Sequence, residues 1–237
     1  MREIILVGGA GEGARRATDQ FLYGYLRPFL KPTDRISPIY YPASIGVANN
    51  TPQPDLREGA YESRQVAKKR LADHIRSTPH VPYIAAYSLG AWAVAEFLEE
   101  MAQGKYPGLE IAGVILVASP LNGKDSGWGY GIVRKHKRFP NNFPIAEVNN
   151  WNDGICCCPE GSALRVLPLL GEIFTINQGK PEIRRKVLEF VSAAFATAKV
   201  LPTRHDLMLL ANYADGRAHG SDYRSDVLRA PAKRMLG

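Results

Sequence analysis

Along the first two-thirds of the chain, short apolar runs alternate with longer amphipathic stretches, the pattern of a mostly parallel sheet covered by helices. Five runs read as strands: Ile4 to Val7, Ile36 to Tyr41, Val81 to Tyr87, Ile111 to Ala118 and, more weakly, Ile145 to Asn149. Their near-continuous hydrophobicity suits strands buried on both faces. Between the second and third runs, Ala60, Ala67, Leu71 and Ile75 recur at helical spacing while Arg64, Lys68, Lys69 and Asp73 occupy other faces, which predicts a helix packed on the sheet. Leu89 to Met101 is apolar on nearly every side as far as Glu96. That predicts a central helix enclosed at its start and reaching solvent at its glutamate-bearing end.

From Pro159 the texture changes. Pro168 interrupts an apolar stretch, and Gly179-Lys180-Pro181 introduces a helix with Ile183, Val187, Val191, Ala194 and Ala198 in one stripe. The expectation is a helical insertion over 160–204, a lid or side subdomain on a single α/β domain spanning 1–237. A length of 237 residues suits one large core, and 45% hydrophobic with 22% charged residues excludes a disordered or fibrous chain. The apolar run at Ile4 to Val7 is too short for a signal peptide, and no stretch of about eighteen apolar residues spans a bilayer. A soluble protein made in the cytoplasm is therefore expected, with no transmembrane segment.

Charge and cysteine content alter this picture only slightly. The net charge of +7 favours anionic surfaces, and its densest run is Arg134-Lys135-His136-Lys137-Arg138. That run reads as a solvated loop or as a contact with anionic cell-envelope polymer; without interleaved aromatics, nucleic acid is not expected. The only cysteines, Cys156, Cys157 and Cys158, are adjacent, so they form no long-range disulfide framework and no complete zinc site. They read as small apolar filler, with a vicinal disulfide as the rival.

The chemistry concentrates at Ala86-Tyr87-Ser88-Leu89-Gly90, where a buried strand runs straight into the central helix. A serine raised on a sharp strand-to-helix turn needs small residues two positions away on each side, the G-x-S-x-G pattern, here A-x-S-x-G. Ser88 is thus the candidate nucleophile; the bland alternative is an ordinary helix N-cap. The N–H of Leu89, at the positive end of the helix, would face a developing oxyanion. The loop Gly8-Gly9-Ala10-Gly11-Glu12-Gly13 after the first strand would supply the second donor, with Ala10 N–H favoured. The competing reading of these glycines, a dinucleotide-phosphate loop, lacks the full G-x-G-x-x-G spacing.

In this arrangement the acid and then the histidine follow the serine along the chain. Asp153, just past the fifth strand in Asn150-Trp151-Asn152-Asp153-Gly154, fits the acid, with Asp125 as fallback. Beyond it lie only His205, at the start of a helix, and His219, in a loop before the last helix; loops place catalytic histidines more readily, which favours His219. No metal or cofactor is required by this set.

Several of these segments carry a family resemblance. Ile5-Leu6-Val7-Gly8-Gly9-Ala10-Gly11, the Ala86 to Ala91 elbow, Ser119-Pro120, Asp153-Gly154-Ile155-Cys156, and His219 followed by Tyr223 and Val227-Leu228 resemble the cutinase-like serine esterases, and most closely the mycobacteriophage lysin B enzymes. The resemblance implies a cutinase-like α/β-hydrolase fold in which Ala163 to Leu201 is a helical linker before the histidine. It implies a triad of Ser88, Asp153 and His219 with Ala10 and Leu89 as oxyanion donors. It further implies hydrolysis of the ester joining mycolic acids to arabinogalactan, at the host cell envelope during phage lysis. Ala86 stands where the family has glycine and Leu89 where it has glutamine, so the glutamine contact around the oxyanion loop is missing. Cys156 has no distant cysteine partner, which excludes the disulfide of secreted cutinases. Two other readings remain: an esterase or lipase for smaller soluble or lipid esters, and a non-catalytic envelope-binding or virion module on a hydrolase scaffold.

Overall fold

The computed structural model describes residues 1–44, 59–123, 127, 129–165 and 201–237. Its strands are β1 (Glu3–Val7), β2 (Arg35–Pro38), β3 (Tyr83–Tyr87), β4 (Gly113–Val117) and β5 (Ile145–Val148). They form one parallel sheet in the order β2-β1-β3-β4-β5. The pairs Val7 with Ala86 and Tyr87 with Val117 bring the carboxyl ends of the three inner strands to one level. After β1 the chain passes to one edge of the sheet and after β3 to the other. The loops therefore diverge between β1 and β3, opening the crevice where such sheets build sites.

Alternation along the strands divides the core in two. Ile5, Val7, Ile84, Ala86, Val114 and Leu116 face α2 (Ala60–Ser77) and α3 (Leu89–Ala102). Ile4, Leu6, Ala85, Tyr87, Ile115 and Val117 face the other layer, α1 (Phe21–Leu26) and α5 (Asp226–Leu236). A smaller cluster of Ile132, Ile155, Cys158, Leu164 and Leu209 seats α4 (Arg204–Asp215). Among the described residues, no helix is long and apolar enough to cross a membrane.

Several sequence expectations are corrected in detail. Burial on both faces holds for β1, β3 and β4, whereas β2 and β5 are edge strands with partly exposed residues. The second strand ends at Pro38, not Tyr41. Pro38 brings no N–H, the Ile39 N–H makes a last bond to Leu6 O (2.8 Å), and the Tyr41 N–H turns to Gly13 O (3.1 Å). The glutamate end of α3 does not simply reach solvent. Glu99 is buried, chelated by Arg134 at 2.7 and 2.8 Å and bonded by the Lys137 N–H at 2.7 Å. Arg64 and Lys68 on α2 are likewise buried, paired with Glu96 and Glu100 of α3. Part of the basic run is thereby committed inside the fold: Arg134 to Glu99, and His136 to Glu147 (3.4 Å) with its ring stacked on Phe139. Most of the expected 160–204 insertion, including the stripe from Ile183 to Ala198, lies outside the described residues, as does Asp125.

At the amino end of the sheet, away from the crevice, fully buried Glu3 accepts bonds from Ser37 Oγ (2.5 Å), Thr78 Oγ1 and His74 Nε2 (2.9 Å), tying the end of α2 to β1. Burial alone would raise its pKa. The hydrogen bonds from Ser37, Thr78 and His74, with the charge of His74, outweigh burial and lower the pKa from 4.5 to about 2. A depressed carboxylate pKa contributes stability above the unfolded value that is lost as pH falls through the folded one. Urea unfolding across pH should therefore show this contribution fading between pH 4.5 and about 2. Glu3→Gln is expected to lose about 2 kcal/mol at neutral pH and to flatten that acid limb.

Candidate active site

The turn from β3 into α3 hinges on one residue. Ser88 has φ 53° and ψ −117°, a left-handed conformation rare for a residue with a Cβ. Its N–H bonds Val117 O (3.0 Å) and its carbonyl accepts the Trp92 N–H (2.9 Å), so strand and helix both hold the strained residue. Small neighbours are required here. A Cβ on Gly90 would lie 2.2 Å from Val7 O and 2.4 Å from Gly8 O, so α3 can meet the end of β1 only with glycine at this position. Although Ser88 occupies the N-cap position, its side chain caps no helical N–H. It points instead to His219.

The Oγ of Ser88 lies 2.8 Å from His219 Nε2, and His219 Nδ1 lies 2.7 Å from Asp153 Oδ2. An ionised carboxylate only accepts, so Nδ1 carries a proton toward Asp153 and Nε2 is left to accept from the serine hydroxyl. All three residues are buried, Asp153 almost completely. His205 falls in the first turn of α4, and it is His219 that meets Ser88.

Local sequence explains how each partner is held. Asp153 closes a turn on Asn150 O (2.9 Å), its Oδ1 accepts the Ile155 N–H (3.0 Å), and its carbonyl accepts from Cys156 and Cys157. This is the compact turn that an Asp-Gly sequence favours. Gly216, with φ 75°, ends α4 in a left-handed cap, and a turn from Arg217 to Gly220 follows. Far from being a loose loop, this segment is clamped: Asn150 Nδ2 donates to Ala218 O (2.8 Å) and the Tyr87 hydroxyl donates to His219 O.

Tyr223 completes the arrangement. Its hydroxyl donates to Asp153 Oδ2 (2.8 Å) and accepts the Asn150 N–H (3.2 Å), with Cys156 Sγ at 3.2 Å. Burial first, and then the charge of Asp153, push its pKa well above 10, so it remains a donor. The three cysteines are buried and free, with Cys156 and Cys157 sulfurs 3.7 Å apart, so no vicinal disulfide forms.

On the opposite side of Ser88 lies the turn after β1. Of its successive N–H groups, Gly9 donates to Glu12 Oε2 (2.9 Å), Gly11 to Ala43 O (2.9 Å) and Glu12 to Gly9 O (3.0 Å). Within Gly9 to Glu12, Ala10 N–H is the one that these bonds leave over among the described residues. Leu89 N–H, at the first position of α3, has no intrahelical acceptor. Both sequence-favoured donors thus belong to segments that flank Ser88. The glycine loop leads into a short turn at Ala17–Asp19 before α1 rather than directly into a helix, unlike a dinucleotide-phosphate loop.

Glu12, Tyr87, Asn150 and Tyr213, whose ring lies 5.3 Å from that of His219, were not singled out from the sequence. Only Glu12 left a trace there, as a lone carboxylate among glycines.

No protein-family model matches the chain, and no curated protein matches it in sequence. Solved structures do. Lysin B from Mycobacteriophage D29 superposes with a TM-score of 0.59 at 14% identity, over 99% of this chain and 98% of that one. An acetylxylan esterase (TM-score 0.45, 13% identity, 84% and 96% coverage) and a cutinase-like protein from Cryptococcus sp. (0.40, 13%, 93% and 96%) are more distant in shape. The fold is that of an α/β-hydrolase, shared with lysin B over nearly the full length of both chains.

The bonds around Tyr223 carry a direct expectation. Tyr223→Phe removes a donor to Asp153 and the acceptor of the buried Asn150 N–H. Urea denaturation should show a loss of about 1–3 kcal/mol.

Proposed function

We propose that this chain is a serine esterase that hydrolyses the ester between mycolic acids and arabinogalactan of the mycobacterial cell wall. The observation that carries the esterase reading is the unbroken relay from Ser88 Oγ through His219 to Asp153, seated on a strained strand-to-helix turn. In this reading Ser88 Oγ attacks the acyl carbonyl as His219 Nε2 takes its proton, and Asp153 holds the imidazole and stabilises its cation. The N–H groups of Ala10 and Leu89 donate to the developing oxyanion. Collapse expels the sugar hydroxyl, protonated by His219, and leaves the acyl group on Ser88. Water, deprotonated by His219, then attacks the acyl-enzyme, and His219 returns that proton to Ser88 Oγ as the fatty acid is released.

The substrate rests on two supports: the resemblance carried by the Ala86 to Ala91 elbow, Asp153 to Cys156 and His219 to Leu228, and a fold shared with lysin B along the chain. With them comes a place of action at the host cell envelope during lysis. Lys135, Lys137 and Arg138 are exposed and would favour an anionic envelope polymer there.

Ester turnover measured across acyl chain lengths tests the mechanism. Ser88→Ala and His219→Ala are each expected to lower kcat by about 10⁴-fold or more, and His205→Ala to leave it near wild type. Mass spectrometry of mycolyl-arabinogalactan incubated with the protein is expected to show free mycolic acids. Turnover of simple p-nitrophenyl esters alone would assign it to smaller substrates, and salt-sensitive envelope binding without any hydrolysis would make it a non-catalytic module.

A further inference from the structure

We infer that Glu12 is a positioning residue whose buried carboxylate fixes the turn after β1 so that Ala10 N–H points at the reacting oxygen; this rests on the esterase reading above. Glu12 sits beneath the glycine loop at 7% exposure. Among the described residues the cation paired with it is Arg15 at 3.9 Å, whose side chain is more than half exposed, and closer contacts come from backbone N–H groups. Burying a carboxylate is costly unless hydrogen bonds replace its water. Here Oε2 takes the Gly9 N–H at 2.9 Å and Oε1 takes the Phe21 N–H at 2.8 Å.

Each bond constrains a different wall of the site. Holding Gly9 N–H turns that donor toward Glu12 and, with Gly11 and Glu12 N–H also engaged, leaves the Ala10 donor over. There is little slack in this placement. A Cβ on Gly9 would lie 2.8 Å from the Tyr87 ring and 3.4 Å from Ser88 Cβ. From the other side the Tyr41 hydroxyl donates to Gly8 O at 2.5 Å, and Gly13 packs against Tyr41 O where a Cβ would be only 1.9 Å away. The second bond reaches the base. The Phe21 ring stacks on Tyr87 at 4.2 Å between centroids, and the Tyr87 hydroxyl holds His219 O. One carboxylate therefore sets both the oxyanion loop and, through Phe21 and Tyr87, the backbone of His219.

An ionised carboxylate can accept both N–H groups at once. A glutamine cannot, because its amide nitrogen would face one of the two N–H groups donor to donor. Glu12→Gln is expected to lower kcat by about 10- to 100-fold, short of the outright loss of one oxyanion donor. KM should stay within about twofold, and affinity for an alkyl boronic acid, which forms a tetrahedral adduct on serine, should fall in parallel with kcat. Glu12→Asp, one methylene too short to bridge both donors, serves as the second variant and is expected to show the same split. Wild-type kcat in a folded Glu12→Gln protein would overturn the inference. So would a kcat loss accompanied by an equal rise in KM or by unfolding at the assay temperature in both variants. Ser88→Ala run alongside separates the two readings: retained turnover there sinks the esterase mechanism itself, whereas its loss beside an unaffected Glu12→Gln sinks only the role of Glu12.

Discussion

Between β3 and α3 the backbone must reverse direction within one residue, and Ser88 does so at φ 53°, a conformation costing about 1–3 kcal/mol for a residue with a side chain. The rest of the site depends on that strain being held. It is held because the Ser88 N–H is bound to β4 through Val117 O, and because Gly90 lets α3 press against the carbonyls of Val7 and Gly8 at the end of β1. Three inner strands thus meet around one serine. With strands of equal register, the same contact lifts Ser88 Oγ clear of the sheet and brings the turn after β1 beside it.

Beside this turn and farther along the fold, buried carboxylates organise segments that have no regular structure of their own. Asp153 gathers the Asn150 to Cys157 turn, Tyr223 and His219; Asp206 closes the capping box at Thr203 and takes the Ser162 hydroxyl, seating α4; Glu99 anchors the 134–137 segment. Loops near a site need fixed positions but lack ladder hydrogen bonds. A carboxylate can bind two or three N–H or O–H groups of different segments at once. The cost is desolvation, offset in every case by several donors. For Asp206 and Glu99, burial raises the pKa but the hydrogen bonds dominate, and the net shift is downward.

How far the sequence reveals this differs by feature. The five strands and the helices at 60–77 and 89–102 follow from periodicity, and their cores are found within a residue or two because hydrophobic spacing is local. Ends were less legible: the second strand stops at Pro38 because the chain there turns to Tyr41 and Gly13, a contact between segments far apart in sequence. Nothing local to the sequence marks the lone carboxylate of Glu12, or the Arg64 and Lys68 side chains that lie off the apolar stripe of α2, as buried. Their burial depends on which element comes to lie above them, α1 in one case and α3 in the other.

The sequence by itself determined the strand pattern, the serine on a strand-to-helix turn and a short set of candidate partners, because each is written within a dozen contiguous residues. Only the tertiary structure decided that His219, rather than His205, meets Ser88 across 131 residues and Asp153 across 66. It also decided that Tyr223, Asn150 and Tyr87 hold these groups in place. Such pairings are fixed by how the sheet, its two helical layers and the clamped turns pack, and no local periodicity encodes a distance between side chains so far apart in the chain.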